Sequence, residues 1–147
     1  MIVAALLYLW QLPQNLLGLA LFSWPGYKPL REIRYRGRRV LICDNFPGGE
    51  SEGSGISLGN YILVDFNRTC WDSGLPFFMG LKKSVKHEFG HSRQSLFLGW
   101  LYLPVVGIPS AIHAAIHNYR ARKGLPTGDY HAFWCERWAD RLGGVTR

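Results

Sequence analysis

Between Ile2 and Trp24 the chain carries no charged residue. A stretch of that length and composition has to be covered, by lipid or by protein. It is not uniformly apolar. Gln11, Gln14, Asn15 and Gly18 recur at i, i+3, i+4 and i+7, so on a helix they form one polar stripe. Pro13 lies in the middle and kinks or divides that helix. With no basic leader and no A-x-A cleavage site, the segment reads as retained, either embedded in a membrane or buried against the rest of the protein. If it spans a bilayer, the arginines that follow it favour a cytoplasmic C-terminal side.

The remaining composition narrows the class. Of 147 residues, 48% are hydrophobic and 18% charged, which is too apolar for a disordered chain and leans towards membrane association. The length suits one domain over residues 1–147: an apolar N-terminal segment (1–24), a small β region (25–67) and a helical part (76–147). The net charge of +7 gathers at Arg31–Arg39, Lys82–Lys86 and Arg120–Lys123, and suits anionic lipid or nucleic acid equally well. Cys43, Cys70 and Cys135 form no C-x-x-C pair, so buried thiols are expected, with a Cys43–Cys70 bridge open if the region is exported.

"REIRYRGRRVLICDN" alternates apolar residues with arginines, turns near Gly37 and continues into an apolar run, the pattern of a β-hairpin. Residues 47–55 read as a loop, and "ISLGNYILVDFN" gives further strands with Gly59-Asn60 as a turn. Helices follow: one from Lys82 to Gly99, an apolar stretch over 95–118 interrupted by Pro104 and Pro109, and a last helix from Tyr130 to Leu142 ended by Gly143-Gly144. The expected fold class is α+β, mainly helical, with a small antiparallel sheet.

Within the first of these helices stands His87-Glu88-Phe89-Gly90-His91. Four residues turn a helix by about 400°, so both imidazoles project from one face, roughly 6 Å apart along the axis. Two such rings can reach one divalent ion, and Glu88 sits beside it, placed to take a proton from water. His113 and His117 share the spacing without the glutamate, and spacing alone recurs by chance, so they read as locally satisfied. A tetrahedral site needs a third ligand from elsewhere. "CERWAD" offers Glu136, with Asp140 one turn on to hold the far nitrogen of His87, and Ala139 small enough for close helix contact. Cys135 turns about 100° away from Glu136 and reads as packing.

H-E-x-x-H followed by E-x-x-A-D resembles the gluzincin metallopeptidases, in particular the membrane-associated branch of CAAX-processing and heat-shock proteases. The resemblance implies a minimal zincin-like domain binding one Zn2+ through His87, His91 and Glu136. Glu88 would then be the general base and Asp140 the support of a histidine. It also implies that Tyr61–Asp65 serves as the edge strand that aligns a peptide. Zinc lowers the pKa of water towards about 7. The oxyanion donor is left open among Tyr130, His131 and Tyr119, which neighbour Glu136 in sequence.

The partners expected are a peptide or protein substrate and membrane lipid, with no specific nucleic acid, since only Tyr35 interleaves the Arg31–Arg39 cluster. The expected location is membrane-associated with a cytoplasm-facing site, and a soluble cytoplasmic protein is the alternative. The rival function is a non-catalytic basic protein, bound to membrane or nucleic acid, whose metal site is structural or vestigial. Because three ligands must meet at one ion, 95–118 cannot be one complete membrane crossing; it is a hairpin, a re-entrant element or part of the core.

Overall fold

The computed structural model describes residues 2–26, 28–44, 55–65 and 77–147. Its helices are α1 (Ile2–Trp10), α2 (Leu12–Phe22), α3 (Phe77–Leu98), α4 (Ile108–Arg122) and α5 (Trp134–Gly143). Its strands are β1 (Lys28–Tyr35), β2 (Arg38–Asp44), β3 (Gly55–Leu58) and β4 (Tyr61–Asp65), in the sheet order β1-β2-β4-β3. The architecture is α+β and mainly helical. Cys70, and with it the Cys43–Cys70 pairing, lies outside the described residues, as does the 47–55 loop up to Gly55.

Two local hairpins build the sheet. Arg36 and Gly37 take φ of 46° and 81°, the left-handed turn that matches strand twist, and β1 pairs antiparallel with β2. Gly59 (φ 62°) and Asn60 turn β3 into β4. The expectation of a wholly antiparallel sheet is corrected where the hairpins meet, because β4 pairs with β2 in parallel. Burial explains this. All of β4 is buried, whereas the first residues of β3 are only half-buried. A strand covered on both faces belongs inside the sheet, so the second hairpin docks through its second strand. Tyr61–Asp65 is therefore central, and the edge position expected of it falls to Gly55–Leu58.

Side chains alternate between two packed faces of the sheet. Val40, Ile62 and Val64 meet Val85 and Phe89 of α3. Leu41, Cys43 and Leu63 meet Leu21 and Phe22 of α2. On its other side α3 lies against α5 at backbone contact. A Cβ on Gly90 would sit 1.9 Å from the Ala139 carbonyl oxygen, and one on Gly143 would sit 2.0 Å from that of Lys86. Only glycine permits such an approach.

The N-terminal stretch is broken as its proline requires: α1 and α2 meet at 86°, with Pro13 in the first turn of α2. The stripe of Gln11, Gln14, Asn15 and Gly18 turns inward, the first three side chains being almost fully buried. Among the described residues no single helix is long and apolar enough to cross a membrane. The 95–118 stretch divides at Gly99 and not at its prolines. α3 ends at Leu98, and Gly99 takes φ 54° at the start of a 3-10 turn (Gly99–Leu101). A π turn (Leu103–Gly107) then carries Pro104 directly into α4, which holds Pro109 in its first turn. The expected helix over Tyr130–Leu142 is also split. Asp129 accepts the His131 N–H at 2.9 Å and caps a 3-10 turn, Tyr130–Ala132, after which Phe133 is extended and α5 starts. Gly144, at φ 70°, ends α5.

Candidate metal centre

The α3–α5 contact brings together four groups that are distant in sequence. His87 and His91 project from α3 with ring centroids 4.9 Å apart, and Glu136 and Asp140 project from α5. All four are buried. Oε2 of Glu136 lies 3.1 Å from Nε2 of His87 and 3.2 Å from Nε2 of His91. Ligands about 2.0–2.1 Å from a tetrahedral ion stand about 3.3 Å from one another. Both spacings are those of hydrogen bonds and also lie close to tetrahedral edges, so the donor chemistry is compatible with a divalent cation.

The far nitrogens are held as well. Nδ1–H of His87 donates to Oδ1 of Asp140 at 2.6 Å. Nδ1–H of His91 donates to Oε1 of Gln94 at 2.7 Å, and Gln94 cannot flip because its Nε2–H donates to the Cys135 carbonyl at 2.7 Å. Both Nε2 atoms are thus directed at Oε2 of Glu136. Arg147 Nε–H donates to Oδ2 of Asp140 at 2.6 Å, and Ser110 Oγ–H donates to Oε1 of Glu136 at 2.6 Å. Gln94, Ser110 and Arg147 have no motif signature; Gln94 lies one turn beyond His91 on α3, whereas Ser110 and Arg147 come into reach through the packing of α4 and the C-terminus on α5.

No known protein family matches the chain, and neither curated proteins nor solved structures give a match. The site's own chemistry has to carry the functional reading.

Ligand-capable atoms of His87, His131 and Glu136 lie within 4.8 Å of one another, so this cluster could hold a metal ion. It shares two members with the His87–His91–Glu136 set. Nε2 of His91 contacts the same Glu136 oxygen as that of His87, while His131 brings a ligand atom within 4.8 Å of both His87 and Glu136. The His131 ring stands 5.2 Å from the His87 ring and its Nδ1 is 3.9 Å from Oδ2 of Asp140. That nitrogen is buried without a hydrogen-bond partner among the described residues.

A cleft of about 1150 Å³ opens beside these groups, bounded by β3, α2, α4 and the 127–131 segment. Glu88, Tyr130 and His131 line it, whereas Tyr119 is exposed on α4 outside it. Glu88 packs beneath the edge strand: a Cβ on Gly55 would stand 2.6 Å from its Oε1. Burial raises the Glu88 carboxyl above its ordinary value, against the pull of His91 and His87, as suits a base that must bind and release a proton. Burial also raises the Tyr130 phenol, with the Glu136 and Glu88 charges adding to it, so its O–H stays a donor. Burial lowers His131 to about 4, helped by Arg147 and His87, leaving a neutral ring. Tyr102, which no sequence pattern marks, donates its O–H to the Ser57 carbonyl at 3.2 Å and ties β3 to the turn after α3.

Of the second histidine pair, His113 is satisfied locally, while His117 lines the cleft with its ring 5.4 Å from that of Tyr130. His113 Nε2–H donates to the Tyr130 carbonyl at 3.1 Å and its ring stacks on Phe133 at 4.3 Å. Cys135 packs with Tyr102 and Val106, and burial pushes its thiol up to about 12, so its S–H is retained.

Burial alone would lower His87, yet hydrogen bonds to Asp140 and Glu136 outweigh it and bring the ring up to about 9. Burial would raise Glu136, but the bonds from His87 and His91 hold it below the ordinary carboxylate range. In the metal-free chain the raised His87 stabilises the fold below its ordinary 6.5, and this contribution is lost as pH rises through about 9. Metal binding has the opposite sign, since it requires the proton to leave. Divalent-metal affinity is therefore expected to rise about tenfold per pH unit between pH 7 and 9 for each proton displaced. Competition with a chelator across that range measures it.

Proposed function

We propose that the chain is a zinc-dependent peptidase of gluzincin type, with His87, His91 and Glu136 as ligands and Glu88 as general base. The observation that carries this reading is the pair of tetrahedral-edge spacings from one Glu136 oxygen to two imidazoles, beside a buried glutamate facing a cleft. Zinc rather than magnesium or calcium follows from two neutral imidazoles and one carboxylate, since the latter ions favour oxygen donors. A zinc ion bound there supplies an activated water and polarises a carbonyl.

The chain's own residues account for the rest. Glu88 accepts the proton as water attacks the carbonyl carbon, and passes it to the departing nitrogen. Tyr130 donates its O–H to the developing oxyanion, with neutral His131 as a second donor. Tyr119 is set aside because of its exposure. An extended peptide lies along β3, the outer strand beside the cleft, so its carbonyl passes over Glu88. Asp140 and Gln94 keep the two imidazoles in register. A structural or vestigial metal site would have no use for a buried, cleft-facing Glu88. A nucleic-acid role has little support, because Arg39 is engaged with Glu32 and with the Phe22 and Tyr61 rings.

Metal analysis tests the ligand set. The native chain is expected to bind one zinc, and His91→Ala and Glu136→Ala to lose at least about a hundredfold in affinity. His113→Ala should keep full affinity. Equal binding by native and Glu136→Ala chains would reject the assignment.

A further inference from the structure

The N-terminal helices are chemically inverted. In a helix on a water-facing surface the apolar stripe turns inward and the polar residues outward. Here Gln11, Gln14 and Asn15 face the protein. Gln14 Nε2–H donates to Ser95 Oγ at 3.2 Å, Ser95 Oγ–H donates to Gln11 Oε1 at 3.0 Å, and Asn60 N–H donates to Asn15 Oδ1 at 2.9 Å. The outward residues are apolar, with Ile2 77%, Leu6 60% and Leu9 55% exposed, and no charge interrupts them. Polar side chains joining helices internally, with aliphatic ones outside, is the arrangement that hydrocarbon selects.

A second apolar row lies on α4, where Ile108, Ile112 and Ile116 are each more than half exposed at four-residue spacing. The two surfaces meet at the cleft, since Leu17 of α2 and Ile108 of α4 are both exposed and both line it. Two tryptophans join α1 to the end of α3 and the turn after it: Trp100 Nε1–H donates to the Leu9 carbonyl at 3.0 Å and Trp10 Nε1–H to the Leu96 carbonyl at 2.9 Å.

We propose that this face inserts into one leaflet of a lipid bilayer, holding the chain as a monotopic protein with the cleft mouth at the lipid boundary. Length argues for one leaflet. Helices of 9 and 11 residues bent at 86° reach only about 14 and 17 Å each, against a hydrocarbon core of about 30 Å. Charge argues for lipid as the occupant. The apolar face is uncharged, and the isoleucine row of α4 runs on to exposed Arg120 and Lys123 at that helix's end, cations that suit anionic head groups. The surface stands on exposure and charge, and does not depend on the peptidase reading.

Flotation of the full chain with phosphatidylcholine vesicles, with and without phosphatidylglycerol, tests it. The native chain is expected to float with both, more strongly with the anionic ones, and to remain bound in high salt. Leu6→Glu and Ile112→Glu should each reduce the bound fraction at least about tenfold. Neither residue touches the metal centre, so zinc stoichiometry should be unchanged, which separates this outcome from that of the peptidase test. If the variants fail to fold, quenching of native tryptophan fluorescence by brominated acyl chains gives the same readout. The proposal is overturned by a native chain that stays monomeric and vesicle-free in detergent-free buffer, or that hides this face in a stable dimer. Binding only to anionic vesicles, removed by salt and unaffected by Leu6→Glu, overturns it as well.

Discussion

Glu88→Gln is expected to lower peptide hydrolysis by about 10²–10⁴-fold while zinc stays bound. The amide keeps the volume and the hydrogen-bonding reach of the side chain but cannot take a proton. Glu88 is not among the groups converging on Oε2 of Glu136, so the ligand geometry has no reason to change. A fall in turnover with unchanged zinc content is therefore the signature of a base and not of a ligand. Gly55→Ala approaches the same point from the other side of the cleft. Its new methyl would stand 2.6 Å from Oε1 of Glu88 and has to push that carboxylate aside. Turnover should fall again with the metal in place. Full activity in Glu88→Gln would exclude the proposed mechanism, and loss of zinc in that variant would make Glu88 a ligand.

Gly90→Ala is expected to be the most disruptive glycine-to-alanine change among the described residues. In an exposed helix this exchange is stabilising by about 1 kcal/mol, because alanine is the better helix former. Here the added Cβ would meet the Ala139 carbonyl oxygen at 1.9 Å, and that atom belongs to backbone that cannot rotate away. Overpacking costs about 1–3 kcal/mol in ordinary cores and more where backbone has to shift, so the clash outweighs the propensity. A loss of about 3 kcal/mol corresponds to a fall of about 10 °C in the unfolding midpoint at this size. Glu136 and Asp140 ride on α5, so separating it from α3 should weaken zinc binding too. A midpoint that rises would show that the helices do not touch there.

The centre was legible in sequence to an unusual depth because its spacing is a helical property. His87 and His91 lie on one face whatever the rest of the chain does, and the same holds for Glu136 and Asp140. That the two faces meet was suggested by Gly90 and Ala139, small residues where large ones would keep helices apart. The groups that hold the ligands were not legible. Ser110 reaches Glu136 only because the left-handed break at Gly99 lets the following helical turns and α4 pack over the site, and Gln94 reads as an ordinary helical residue until Cys135 is packed against it. Tyr119 and Tyr130 look equivalent by distance along the chain, yet the Asp129 cap turns one into the cleft while the other remains on the open side of α4.

Sequence by itself determined the elements with local causes: two hairpins at Gly37 and Gly59, the N-terminal helix broken at Pro13, and the stripe of Gln11, Gln14 and Asn15. These follow from backbone dihedrals and periodicity, which act over a few residues. Tertiary structure decided which strand is central, where the polar stripe points and that His131 comes within reach of His87 and Glu136. Each of those depends on which surfaces cover one another, a competition among long-range contacts that no local pattern records.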